Sequence, residues 1–127
     1  MYELDEETFT RLVVREIEIL GNTTLSNPDN TETFPIRVIS NTMRSIRTTE
    51  DGIPIYTRFS ITVECWANSK YEAMSMNQQT ILLLRESNFT PIGSPIDIYD
   101  DITKKHRYGS RYEVNYNGLT NSFERIL

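Results

Sequence analysis

The sequence predicts an α+β fold: an antiparallel sheet of about four strands with two helices packed on one face, in the order α-β-β-α-β-β. Two segments carry apolar residues at helical spacing, one near the N-terminus and one after Ala67. Between and after them run segments that alternate apolar and polar residues, the clearest from Tyr56 to Ala67. The length of 127 residues suits one domain over 1–127, since single domains commonly hold roughly 100–150 residues.

Asp5 stands where the N-cap of the first helix belongs, and Glu6 and Glu7 put negative charge at the positive end of its dipole. Phe9, Leu12, Val13, Ile17 and Leu20 make its apolar side; Glu7, Arg11, Arg15, Glu16 and Glu18 make the polar one. Gly21 is its stop. Gly21 to Thr33 is rich in Asn, Thr, Ser, Pro and Asp and reads as a loop. Phe34 to Ser40 opens a strand that extends toward Arg47, with imperfect alternation that points to a bulge or a ragged edge. Thr48 to Pro54 is the connection, with Asp51-Gly52 as its turn. In the next strand Phe59, Ile61, Val63 and Cys65 point one way and Arg58, Ser60, Thr62 and Glu64 the other. That period of two predicts one buried and one polar face.

Ser69 to Glu72 matches a capping box, and the second helix it opens runs to Arg85 or Ser87. Ala73, Met76, Thr80, Leu83 and Leu84 cluster on one side, with Met74 and Ile81 flanking, while Leu82 falls on the opposite, polar side. Pro91, Gly93 and Pro95 allow a bulge or an edge strand at most. Ile96 to Tyr99 reads as a strand, and Asp100 to Lys105 as a turn that carries His106 at its end. The last strand sets Tyr108, Ser110, Tyr112, Val114 and Tyr116 against Arg107, Arg111, Glu113 and Asn115, and Gly118 closes it.

Composition excludes several classes of function. With 38% hydrophobic and 24% charged residues the chain has the make-up of a globular protein. Its 13 Lys+Arg against 18 Asp+Glu give a net charge of −5, which argues against a general nucleic-acid binder. One Cys excludes an internal disulfide, and one Cys with one His makes a zinc site or a Cys/His nucleophile improbable. No run approaches the roughly 18 apolar residues of a membrane span. The acidic start contrasts with the basic, then apolar, start of a signal peptide, so synthesis in a cytosol is expected.

Phosphate-loop, dinucleotide and nucleophile-elbow motifs are missing from the sequence. Cys65 reads as a small core residue and His106 as a solvated one. The strongest chemical candidate is Asp97, Asp100 and Asp101 beside Lys104 and Lys105, since carboxylates hold Mg²⁺ and a lysine stabilises phosphoryl charge. The opposing reading is a solvated turn, because Asp97 and Asp100 would project to opposite sides of a strand. No catalytic residue, metal or cofactor is assigned, and no enzyme activity is expected.

The order of elements, the opening Phe34-Pro35-Ile36-Arg37-Val38, and the alternating strand Phe59 to Ala67 running directly into Asn68-Ser69-Lys70-Tyr71-Glu72-Ala73 together carry a resemblance. With the arginine- and tyrosine-bearing strand Arg107 to Tyr116, the whole chain resembles the tail terminator, or tail-completion, proteins of long-tailed bacteriophages. The loop Gly21 to Thr33 has no sure counterpart in that pattern. The resemblance implies a structural virion protein of the tail and neck, assembled in the host cytoplasm. Such proteins form a ring, generally a hexamer, on the head-proximal end of the tail tube. The ring stops polymerisation and docks the head through a connector or stopper protein. Its implied partners are further copies of itself, the tube protein and that connector, with DNA passing through unbound and no membrane involved.

Two contact regions follow for such a ring. One is the hairpin from Arg44 to Tyr56, with Arg44, Arg47, Ile53 and Ile55; the other is the outer face of the second helix at Leu82 and Arg85, with Arg58 and Glu64 on the polar sheet face. The competing readings are a head-completion neck protein, a small metal-dependent nuclease using Asp97, Asp100 and Asp101, and a monomeric module that binds a partner through a sheet edge.

Overall fold

The computed structural model describes residues 2–29, 32–48 and 54–126, and at 46–48, 54 and 55 the backbone alone. Asp5 accepts a hydrogen bond from the Thr8 backbone N–H at 2.7 Å and so starts α1 (Glu6–Ile17). A single 3₁₀ turn, Glu18–Leu20, carries the helix on to Gly21 at φ 144. Phe9, Val13 and Ile17 face the core as expected, but Leu12 is exposed and Val14 packs in its place. The stripe through Phe9, Val13 and Ile17 has two flanks, and helical spacing alone does not say which of them lies against the sheet.

The sheet has six strands: β1 (Thr23–Thr24), β2 (Ile36–Thr48), β3 (Pro54–Ala67), β4 (Thr90–Asp100), β5 (Lys105–Asn117) and β6 (Ser122–Glu124). Their order is β1-β2-β3-β5-β4, with β6 also paired to β5. This corrects the expectation of about four antiparallel strands in two respects. β1 runs parallel to β2, which makes the sheet mixed, and β6 follows Gly118, where the chain was expected to leave the sheet. Both added strands are two or three residues long, too short to show any periodicity. β4 and β6 lie end to end along one edge of β5, opposite Lys105 to Glu113 and Asn115 to Asn117 respectively.

The irregular alternation in β2 is a bulge between Ser40 and Met43, where Asn41 takes φ 53. In β4 a second irregularity lies between Ile92 and Ile96, with Gly93 at φ 71 and prolines on either side; the unpaired outer edge tolerates both prolines. His106, expected in the turn, belongs to β5, where its ring meets Tyr99 edge-on at 5.0 Å.

The Ser69 hydroxyl accepts from the Glu72 N–H at 3.1 Å and opens α2 (Lys70–Glu86). Both helices cover the same face of the sheet. Phe9 stacks on Phe59 at 4.2 Å and also meets Phe89 and Phe123, and Leu84 joins them over Ile61, Val63, Tyr112 and Val114. The opposite face is not uniformly polar, contrary to expectation. Every residue of β3 from Phe59 to Ala67 is buried: Trp66 on the open face packs with Ile36, Val38 and Phe34, short Ser60 sits between Met43 and Glu113, and Thr62 sits beside Arg111.

Candidate functional site

The open face of the sheet brings together many of the side chains singled out by sequence, and pairs them internally. Glu64, 7% exposed, receives both Nε and Nη2 of Arg107, at 2.8 and 3.1 Å. The same guanidinium lies 4.7 Å from the Trp66 ring, so one arginine neutralises a nearly buried carboxylate and covers an aromatic face. One strand position further along the same face, Gly109 opposes Glu64, and a Cβ there would stand 2.4 Å from the Val63 carbonyl oxygen. Arg58 donates to the Asn115 amide oxygen at 3.3 Å and lies 3.8 Å from Glu113, which Arg111 also approaches at 4.0 Å. Arg58, Arg107 and Arg111 therefore share a face with Glu64 and Glu113 as mixed-sign partners.

Of the hairpin residues, Arg44 donates to the Leu4 carbonyl at 3.3 Å and ties the hairpin to the start of α1. Arg47 lies on β2 and Ile55 on β3, with side chains outside the described residues, and Ile53 lies outside them altogether. On α2, Leu82 is 54% exposed on the side away from the sheet, and Arg85, one turn later, is exposed on the flank of the helix beside the start of β4.

The acidic candidates are separated. Asp97 pairs with Lys70 at 2.9 Å, and Asp100 accepts from the Thr103 hydroxyl and N–H at 2.7 and 2.8 Å, which holds its carboxyl below the usual range and closes the β4–β5 turn. Asp101 is exposed. Among the described residues no three His, Cys, Asp or Glu side chains gather as a metal site.

Cys65 is fully buried beside Ala67, Ala73 and Met76, and burial pushes its thiol up to about 11. The sign is that of a raised pKa: the neutral thiol is favoured in the folded state, so this contribution to stability is complete below the thiol's ordinary value and fades as pH climbs toward about 11. Iodoacetamide at pH 8 is expected to leave Cys65 unmodified in the native protein and to label it fully in denaturant, read by mass spectrometry; rapid native labelling would overturn the buried assignment.

Two features escape sequence reading. Arg37, on the helix side of β2 and 2% exposed, donates to Thr80 Oγ1 at 3.0 Å, to the Leu20 and Met76 carbonyls at 3.3 Å, and to Gln79 Oε1 at 3.2 Å. Its only signal was its place in phase with Ile39 and Cys65, a phase that ordinarily calls for an apolar residue. The second is a cleft of about 530 Å³ at the lower end of α2, lined by Arg85, Phe89, Thr90, Pro91 and Arg125. Neither guanidinium has an ion pair or a hydrogen bond among the described residues. Arg125 lies beyond the last alternating strand, and no motif marks it.

No helix among the described residues is long and apolar enough to cross a membrane. No protein-family model matches the chain, and a search of curated proteins finds no match.

Proposed function

We propose that the chain is a structural protein that caps the head-proximal end of a phage tail tube as a ring, ends tube polymerisation and forms the surface on which the head docks. The reading starts from the sequence resemblance, and one structural observation carries it further. The pairing of β2 with β3 continues to Thr48 opposite Pro54, past Tyr56 opposite Asn117, which is the last pair between β3 and β5. The β2–β3 hairpin therefore runs one pair past the last pair with β5, as two strands alone. Two strands alone are marginally stable in water, so this end of the hairpin gains most by lying on another subunit or on the tube. The mixed-sign pairing of the open face and the separation of the three aspartates are in keeping with a protein that works through surfaces. A net charge of −5 suits a wall past which duplex DNA slides without being held.

The ring needs an interface that closes by rotation instead of growing as a filament. Leu82, exposed on α2, is an apolar anchor available for it. The test is to add the purified chain to polymerising tube protein. Shorter tubes, each carrying a ring of this chain at one end in electron micrographs, are the expected result; unchanged tube lengths with no ring would remove the reading. Leu82→Asp is expected to keep the fold, by near-ultraviolet circular dichroism, and to weaken assembly at least tenfold by light scattering. An unaltered ring would take Leu82 out of the interface.

A further inference from the structure

We propose that the cleft lined by Arg85 and Arg125 is the receiving half of the subunit contact, and that its occupant is the acidic N-terminal turn of a second copy of this chain, around Glu3 and Glu6. This rests on the ring reading above and names the surfaces that would close it.

The first argument is charge. Two guanidinium groups flank a cleft with Phe89 and Pro91 in its wall, and neither has a partner among the described residues. A carboxylate entering there would accept from one or both arginines, and the apolar wall would strengthen those bonds by limiting water. Elsewhere on the molecule Glu3 and Glu6 are exposed and have no ion pair among the described residues, while Asp5 is committed to its cap and Glu7 to Arg11. Each charged patch has an exposed apolar neighbour, Leu82 beside Arg85 and Tyr2 beside Glu3.

The second argument is position. From Leu4 onward the N-terminal turn is tied to the β2 flank of the sheet, where Arg44 holds the Leu4 carbonyl and Thr10 meets Thr42, while Tyr2 before it donates to the Gly118 carbonyl at the end of β5. The cleft is on the β4 flank, at Thr90 and Pro91. Both lie at the same level along the strands: Met43, Ser60, Glu113 and Thr90 face one another across β2, β3, β5 and β4, and Arg44 opens the adjoining row. Complementary patches at one level on opposite flanks make a head-to-tail contact with little rise between neighbours. That is the geometry of a closed ring and not of a spiral.

The test uses two reversed chains. Arg85→Glu with Arg125→Glu makes both patches acidic, and Glu3→Arg with Glu6→Arg makes both basic. Each alone is expected to associate at least tenfold more weakly than the native chain, by sedimentation velocity at low salt. Mixed in equal amounts they are expected to regain native mass, because each reversed cleft then meets the opposite charge on its neighbour. Circular dichroism checks the folds; should a reversed chain unfold, the neutral pairs Arg85→Gln with Arg125→Gln and Glu3→Gln with Glu6→Gln are expected to show the loss without the rescue. A mixture no heavier than its components overturns the contact, as does a native chain that stays monomeric or a cleft that takes up only a separate acidic peptide. A ring that survives both reversals overturns the contact and leaves the ring reading standing. Rescue by mixing in a protein that leaves tube growth unchanged upholds the contact and removes the terminator reading.

Discussion

Gly109→Ala is expected to lower stability by about 3 kcal/mol or more, beyond the usual cost of overpacking a core. The added methyl carbon would stand 2.4 Å from the Val63 carbonyl oxygen, 2.7 Å from the Glu64 Cα and 3.0 Å from its Cγ. Two of those three atoms are backbone of β3, which is paired on both sides, to β2 and to β5. Relief therefore requires separating the two central strands, and it would also disturb Glu64 beneath Arg107. At roughly 4 °C per kcal/mol for a domain of this size, the thermal midpoint should fall by about 12 °C. Gly93→Ala supplies the contrast. Nothing lies within 4 Å of its added Cβ, and only its φ of +71 opposes the change. A loss of about 1–2 kcal/mol is expected there from left-handed backbone strain. Equal midpoints for Gly109→Ala and the native chain in urea would refute the close approach of β3 and β5.

Phe9→Ala should cost about 3–5 kcal/mol, the range for emptying a buried aromatic site. Phe9 is 0% exposed and its ring lies against Phe59, Phe89 and Phe123, which come from three different strands or turns. Removing it leaves a void bounded by rigid rings that close in poorly. It also takes from α1 one of the three buried residues that hold the helix to the sheet, the others being Val13 and Ile17. A domain of this size has a total stability of about 10 kcal/mol, so the loss is a large share of it. Urea denaturation gives the magnitude, and amide exchange is expected to show α1 opening before the central strands. Phe9→Leu should recover part of the loss. A Phe9→Ala midpoint within experimental error of the native one would mean that α1 is held by something other than this cluster.

The aromatic cluster shows what is legible in a sequence. Phe9 stood in phase with Val13 and Ile17, and Phe59 with Ile61 and Val63, so both were assigned inward from spacing alone. Phe123 was not, because a three-residue strand carries no period. The surfaces proposed for a ring divide in the same way. Leu82 and Arg85 were placed on the outer face of α2 by helical spacing; both are exposed, but Arg85 lies on the flank beside β4, where it lines the cleft. Arg125 was out of reach, since its place beside Arg85 arises from β6 pairing back onto β5.

Local physics reaches as far as its own wavelength. Capping at Asp5 and Ser69, the helical stripes, the alternation of β3 and β5 and the breakers at Pro91 and Pro95 act between residues a few positions apart, so both helices, the four long strands and the inward faces of β3 and β5 are legible from local spacing. The parallel pairing of β1, the burial of both faces of β3, the pairing of Glu64 with Arg107 and of Asp97 with Lys70, and the meeting of Arg85 with Arg125 come from long-range packing. Those depend on which strands become neighbours, and strand order is set by the packing of the whole chain, not by the spacing within any segment.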